Sequence, residues 1–146
     1  MSQVGEIEAR LIRWAQRRGH LLLRASFALV FVWFGVAKFV GTSPTEDLVG
    51  GVVPFLPPEV FVVLLGVLQT LIGLCFVFRR LLKPALLLFF LHLPGTLLPL
   101  AFQPEATFDQ FPFDPTLEGQ FILKNLILGS AALILLGTLS PTQRPD

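Results

Sequence analysis

Apolar and polar positions divide this chain into four long apolar runs joined by shorter polar connections. The runs cover about 21–40, 59–78, 84–102 and 117–139. Each is close to the ~20 residues that a helix needs to cross a hydrocarbon core. None alternates with a period of two, so the pattern predicts membrane-spanning helices and not the strands of a membrane barrel. Residues 1–18 read differently. Val4, Ile7, Leu11, Trp14 and Ala15 recur at helical spacing, with Glu6, Glu8, Arg10, Arg13 and Arg17 on other faces. Two readings stand side by side: an amphipathic helix on the inner membrane surface, its arginines at anionic headgroups, or a plain cytoplasmic extension of the first span. Nothing in this segment resembles a cleavable signal.

The composition agrees with a bilayer as solvent: 53% of residues are hydrophobic, 14% are charged and the mean hydropathy is +0.74. The expected fold is therefore all-α, an integral membrane four-helix bundle in up-down order forming a single domain. Its orientation follows from the connections. Arg10, Arg13, Arg17, Arg18 and Arg24 flank the start of the first span, and Arg79, Arg80 and Lys83 occupy the second connection. The first and third connections hold no Lys or Arg but carry Glu46, Asp47, Glu105, Asp109 and Asp114. The arginine-rich segments, with both termini and Arg144, are expected in the cytoplasm, and the acidic connections outside. The net charge of +1 averages two oppositely charged faces, so it names no partner beyond the lipid bilayer, and no nucleic-acid partner is expected.

The outer connections are rich in proline (Pro44, Pro54, Pro57, Pro58, Pro104, Pro112, Pro115). They are expected to cap the outer mouth, with Phe102, Phe108, Phe111 and Phe113 supplying apolar surface either for that cap or for an interfacial belt. Gly35, Gly66, Gly73, Gly129 and Gly137 read as positions of close helix approach, through which a homo-oligomer is also conceivable.

Candidate chemistry lies in the polar residues within the spans, where an ionisable group costs at least ~2.5 kcal/mol and needs compensation. Lys38 falls near the outer end of the first span and Gln69 near the middle of the second. His92 lies mid-span in the third, while Glu118 opens the fourth and Gln120, Lys124 and Asn125 follow it inward. By helical rise, Lys124 lies roughly 10 Å, and Gln69 and His92 roughly 15 Å, below the outer ends of their helices. Convergence of these groups would form a polar pocket open to the outer side. Lys38 and Glu118 are expected to meet at its mouth, since the first and fourth helices are expected neighbours.

Each residue also has a purely structural role open to it. Lys38 and Glu118 would serve as a register-fixing ion pair, and Gln69 and Asn125 as interhelical hydrogen-bond partners. His92 would bond a carbonyl that Pro94 leaves without its amide, and Arg24 would snorkel to phosphates. The third span, with His92-Leu93-Pro94-Gly95-Thr96 and then Pro99, is expected to be interrupted and to form one wall of the pocket.

Several chemistries are excluded. Cys75 is the one cysteine, so dithiol chemistry within the chain is ruled out. His20 at the cytoplasmic edge and His92 in mid-span do not make a bis-His haem site. No His, Cys or carboxylate spacing fits zinc or iron, so no metal is expected. Walker, serine-hydrolase and Gly-rich dinucleotide patterns are missing.

Three stretches carry a family resemblance: Phe34-Gly35-Val36-Ala37-Lys38-Phe39, Leu91-His92-Leu93-Pro94-Gly95-Thr96 and, most specifically, Leu117-Glu118-Gly119-Gln120-Phe121-Ile122-Leu123-Lys124-Asn125-Leu126. Together they resemble the DoxX-like membrane proteins over most of the chain from Arg24 to Gly137. That resemblance implies a four-helix, multi-pass protein of the bacterial plasma (inner) membrane. It also implies association with quinone-linked sulfur oxidation or with membrane oxidoreductase complexes, although many relatives have no assigned activity and the fold alone does not name a reaction.

Three functional classes follow. In the first, the chain is a subunit of a membrane oxidoreductase system that binds a quinone head group, with Lys124, His92 and Asn125 bonding its carbonyls, Phe or Trp33 stacking on the ring, and electrons arriving from an oxidoreductase partner protein. In the second it binds or transports a small solute, anchored by Lys38 and Lys124. In the third it is a scaffold. The absence of an evident repeat counts against alternating-access transport, and whether the chain is catalytic stays open.

Overall fold

The structure, a computed structural model, describes residues 3–41 and 57–139. The connection with Pro44, Glu46, Asp47 and Pro54 and the C-terminal segment with Arg144 lie outside the described residues. Among the described residues, four helices are long and apolar enough to cross a membrane: α1 (Gln3–Phe39), α2 (Pro58–Val77), α3 (Leu82–Phe102) and a final one, α5 (Leu117–Gly137). Their outward surface is apolar, with Leu91 77% and Trp33 70% exposed. Such a surface is stable against hydrocarbon and costly in water.

α1 is continuous from Gln3 through the first apolar run, so the amphipathic stretch is helical and joins the span without a break. At 1.5 Å per residue it is about 55 Å long, against a hydrocarbon core of about 30 Å. Its residues Val4 to Arg18 bury nothing fully. α2 starts with Pro58 in its first turn, where a missing N–H costs nothing, and Glu59 beside it. At its other end the Arg24 guanidinium donates to Phe76 O (3.2 Å, from Nε) and Val77 O (2.8 Å, from Nη2). These are carbonyls that the helix itself leaves unbonded. Arg24 is only 8% exposed, so it caps α2 from within the bundle and does not snorkel as expected. A 3₁₀ turn, Arg79–Leu81, then leads into α3.

α3 runs through both Pro94 and Pro99 without ending. The expected interruption is not present, since each proline removes a single N–H from an otherwise intact ladder and the neighbouring helices hold the rest in place. Beyond α3 comes a feature that the apolar pattern did not predict: a one-turn helix α4 (Pro104–Thr107) and a small antiparallel hairpin of β1 (Phe108–Gln110) and β2 (Asp114–Pro115). Among the described residues it is the one departure from an all-helical chain. Phe102, Phe111 and Phe113 are exposed and Phe108 is half-buried, edge-on to Phe111 at 5.2 Å, so phenylalanine burial alone does not hold this segment as a cap. Threonines do. Thr116 N donates to Thr107 O (3.0 Å) and Thr116 Oγ1 donates to Ala106 O (2.9 Å). The same hydroxyl accepts from Gly119 N (3.1 Å), capping α5. A Cβ at Gly119 would run into the Thr107 carbonyl, so glycine is what lets the hairpin seat on α5.

α1 packs most extensively on α2, because a Cβ on Gly35 or Gly73 would meet the backbone of the facing helix. α3 packs on α5, where Leu93 Cδ2 lies 3.1 Å from the position that a Cβ on Gly129 would take. The core toward the Arg24 end is aromatic. Phe27 stacks on Phe76 with centroids 4.7 Å apart, and Phe89 meets Phe27 and Phe31 edge-on at 5.3 and 5.6 Å. α1 and α5, expected to be packed neighbours, touch only slightly. They face each other across a cavity.

Candidate functional site

The cavity has a volume of about 400 Å³, within the range of small-molecule sites. All four long helices line it. α1 contributes Val30, Phe31, Phe34 and Lys38, and α2 contributes Leu65 and Gln69. α3 adds His92, Thr96 and Pro99, and α5 adds Phe121, Lys124, Asn125 and Ile127 among others. Phe31 belongs at once to the aromatic core and to the cavity, and its ring meets the His92 imidazole edge-on at 6.1 Å. The polar end of the cavity therefore rests on a rigid aromatic floor.

Polar groups converge in pairs. Gln69 Nε2 donates to His92 Nε2 across 3.2 Å when the ring carries its proton on Nδ1. Gln69 Oε1 is buried and has no hydrogen-bond partner among the described residues, which leaves an amide carbonyl whose burial is uncompensated. Asn125 Nδ2 donates to Thr96 Oγ1 (3.1 Å), and that hydroxyl donates in turn to Leu93 O (2.8 Å). Lys38 and His92 are each 7% exposed. Room for the Lys38 stem exists because Gly66 has no side chain, its ideal Cβ position lying 3.1 Å from Lys38 Cβ. Lys124 is exposed at the cavity edge, with its ammonium 4.3 Å from the centroid of the Phe121 ring. Among the described residues, the lining holds two lysines, Lys38 and Lys124.

Of the eight candidates, then, Lys38, Gln69, His92, Lys124 and Asn125 come together around one space. Glu118, Gln120 and Trp33 do not. Glu118 stands in the first turn of α5 outside the lining, so it does not close the mouth as expected. Gln120 is exposed and donates to Pro115 O at 3.2 Å, which ties it to the hairpin. Trp33 points away from the bundle, and the rings that line the cavity are those of Phe31, Phe34 and Phe121. His92 has the Gln69 amide as a partner in place of the carbonyl freed by Pro94. Thr96 entered the sequence reading only as part of the expected wall; its position i+4 from His92, on the same helical face, was the signal that would have picked it out. No group of three or more His, Cys, Asp or Glu able to hold a metal occurs among the described residues. Comparison with protein-family models, with curated proteins and with solved structures finds no match to this chain.

Proposed function

We propose that this chain is a DoxX-like subunit of a membrane oxidoreductase system and that its cavity binds a quinone head group. The observation that carries the reading is the composition of the cavity formed by all four long helices: aromatic walls, hydrogen-bonding groups and two lysines. A quinone ring offers flat faces to Phe31, Phe34 and Phe121 and two carbonyl oxygens to donors. Reduction moves negative charge onto those oxygens, and Lys38 and Lys124 would favour the charged form. The bound group supplies the redox chemistry, with electrons from a partner oxidoreductase. This chain's own residues bind the ring, orient it and exclude water. Gln69 adds a specific element: its orphaned Oε1 would accept the hydroxyl hydrogen of the reduced ring. In this reading the hairpin end faces outward and the Arg-rich end faces the cytoplasm of a bacterial cell.

The test is mass spectrometry of the small molecules and proteins that copurify with the chain from its native membrane in mild detergent, beside a His92→Ala, Lys124→Ala variant that remains folded. Stoichiometric quinone or an oxidoreductase, lost in the variant, is the expected result. Finding neither in the unaltered protein would overturn the reading and favour a solute carrier or a scaffold.

A further inference from the structure

We propose that the cavity is reached from within the bilayer, through the seam between α1 and α5, by a ligand that carries a compact polar ring on a long apolar chain. The inference rests on the ring-binding reading above and adds the path and the chemical class of the ligand. Three of the four sides between helices are sealed by contacts. Between α1 and α2, Gly35 and Gly73 leave no room even for a Cβ. Between α2 and α3 stand the Gln69 to His92 hydrogen bond and, further toward Arg24, the buried Phe76 and Phe89. Between α3 and α5, Leu93 packs over Gly129 and Asn125 bonds Thr96.

The fourth side is different. α1 and α5 barely touch, and the two exposed side chains of the cavity lining among those named, Lys124 and Ile127, both lie on α5 along this seam, Ile127 at 72% exposure. One ring pair bridges the gap: Phe34 and Phe121 meet edge-on with centroids 6.1 Å apart. Closer to the Arg24 end, α1 and α5 line the cavity with Val30, Phe31, Ile127 and Leu128, all of them apolar. There the wall offers no polar atom to a hydrated solute, whereas a hydrocarbon chain crosses it without desolvation cost. A ligand whose ring lies among Gln69, His92 and Asn125 would run its chain out between Val30 and Ile127 into the surrounding lipid, with the Phe34 and Phe121 rings closed over it.

A second copy of the chain is the other occupant that such a seam admits. It would cover the gap from outside while leaving the 400 Å³ behind it unfilled and Gln69 Oε1 without a partner. A ring with an attached chain satisfies both.

The experiment compares two probes on the full chain in lipid nanodiscs: a dimethoxy-methyl-benzoquinone bearing a decyl chain, and the same ring without the chain, each with its dissociation constant expressed per mole fraction in the membrane. The decyl probe is expected to bind at least about tenfold more tightly. Ile127→Trp, which fills the seam at a lipid-facing position, is expected to lower the ratio of the two affinities about tenfold, and Val30→Phe, from the opposite border, is expected to shift it the same way. An unchanged ratio in both variants would overturn the seam while leaving ring binding intact. Binding of neither probe would overturn both readings. Crosslinking of two copies through the seam, with no difference between the probes, would assign the seam to self-association and overturn the path.

Discussion

Arg24 and Lys124 are both cations placed against apolar helices, and their surroundings set them opposite tasks. The buried Arg24 guanidinium satisfies two carbonyls at the end of α2, and hydrogen bonds to a charged group contribute more than neutral ones. Arg24→Met should cost about 2 kcal/mol of stability, read as a lowered unfolding midpoint in detergent. Arg24→Lys should recover only part of it, because a single ammonium lacks the planar fork that reaches both carbonyls. Lys124 is exposed and rests over one ring, a contact that contributes about 0.5–1 kcal/mol at such sites. Lys124→Met should therefore leave the unfolding midpoint nearly unchanged while reducing retained ligand; a large loss of stability would instead make Lys124 part of the scaffold. Gln69→Leu separates the same two roles at a buried position. It removes the orphaned Oε1 together with the partner of His92, so stability should change by less than about 1 kcal/mol, while quinone affinity should fall about tenfold. The polarity of these residues was legible in the sequence. The direction in which each side chain points was not, because in a helix that is apolar on every side a lipid-facing position such as Trp33 reads the same as a cavity-facing one such as Phe34.

Among the helices, glycine positions decide how close two backbones come. Gly35 and Gly95 are both helical glycines and should respond with opposite sign. A Cβ at Gly35 would lie 2.7 Å from Thr70 N and 2.8 Å from Gly66 O. Gly35→Ala should force α1 away from α2 at a cost of about 1–3 kcal/mol. A Cβ at Gly95 meets nothing within 4 Å, and Gly95→Ala should gain up to about 0.5–1 kcal/mol from reduced chain entropy in the unfolded state. Thermal unfolding of the two variants side by side checks the sign. The same reasoning applies to the hairpin. Gly119→Ala would push the first turn of α5 against the Thr107 carbonyl and should expose the segment from Phe108 to Thr116 to protease while the four long helices stay intact. All four long runs could be placed from the sequence to within a few residues, except where α1 continues back to Gln3. Length and unbroken hydrophobicity specify a span almost by themselves. The hairpin lay beyond reach because it depends on the Thr116 hydroxyl, the Thr107 carbonyl and one glycine that come together only after folding.

For the whole molecule, the asymmetry of charge along the chain sets a direct expectation for orientation. In a Cys75→Ala background, which removes the half-buried native thiol, Asp109→Cys should react with a membrane-impermeant maleimide in intact cells. Gln16→Cys should react only after the cells are opened. Labelling of Gln16→Cys from outside would reverse the orientation. The existence of four helices could be read from the sequence, but the unequal spacing between them could not, since short connections favour neighbours without saying how tightly each pair closes. That depends on which helix faces carry small residues opposite one another, and α1 offers such a face to α2.

The slight contact between α1 and α5 makes the protein an incomplete container. With the proposed seam open to the bilayer, lipid acyl chains along Val30 and Ile127 would complete its perimeter. The effective shape of the binding space then depends on how those chains are ordered and on the sideways pressure they exert. Thicker or more saturated membranes would press the opening shut, fluid ones would let it breathe, and a detergent micelle would replace this part of the wall with a different material. Bilayer composition becomes a variable of the site itself, acting on occupancy without any change in the amino-acid sequence.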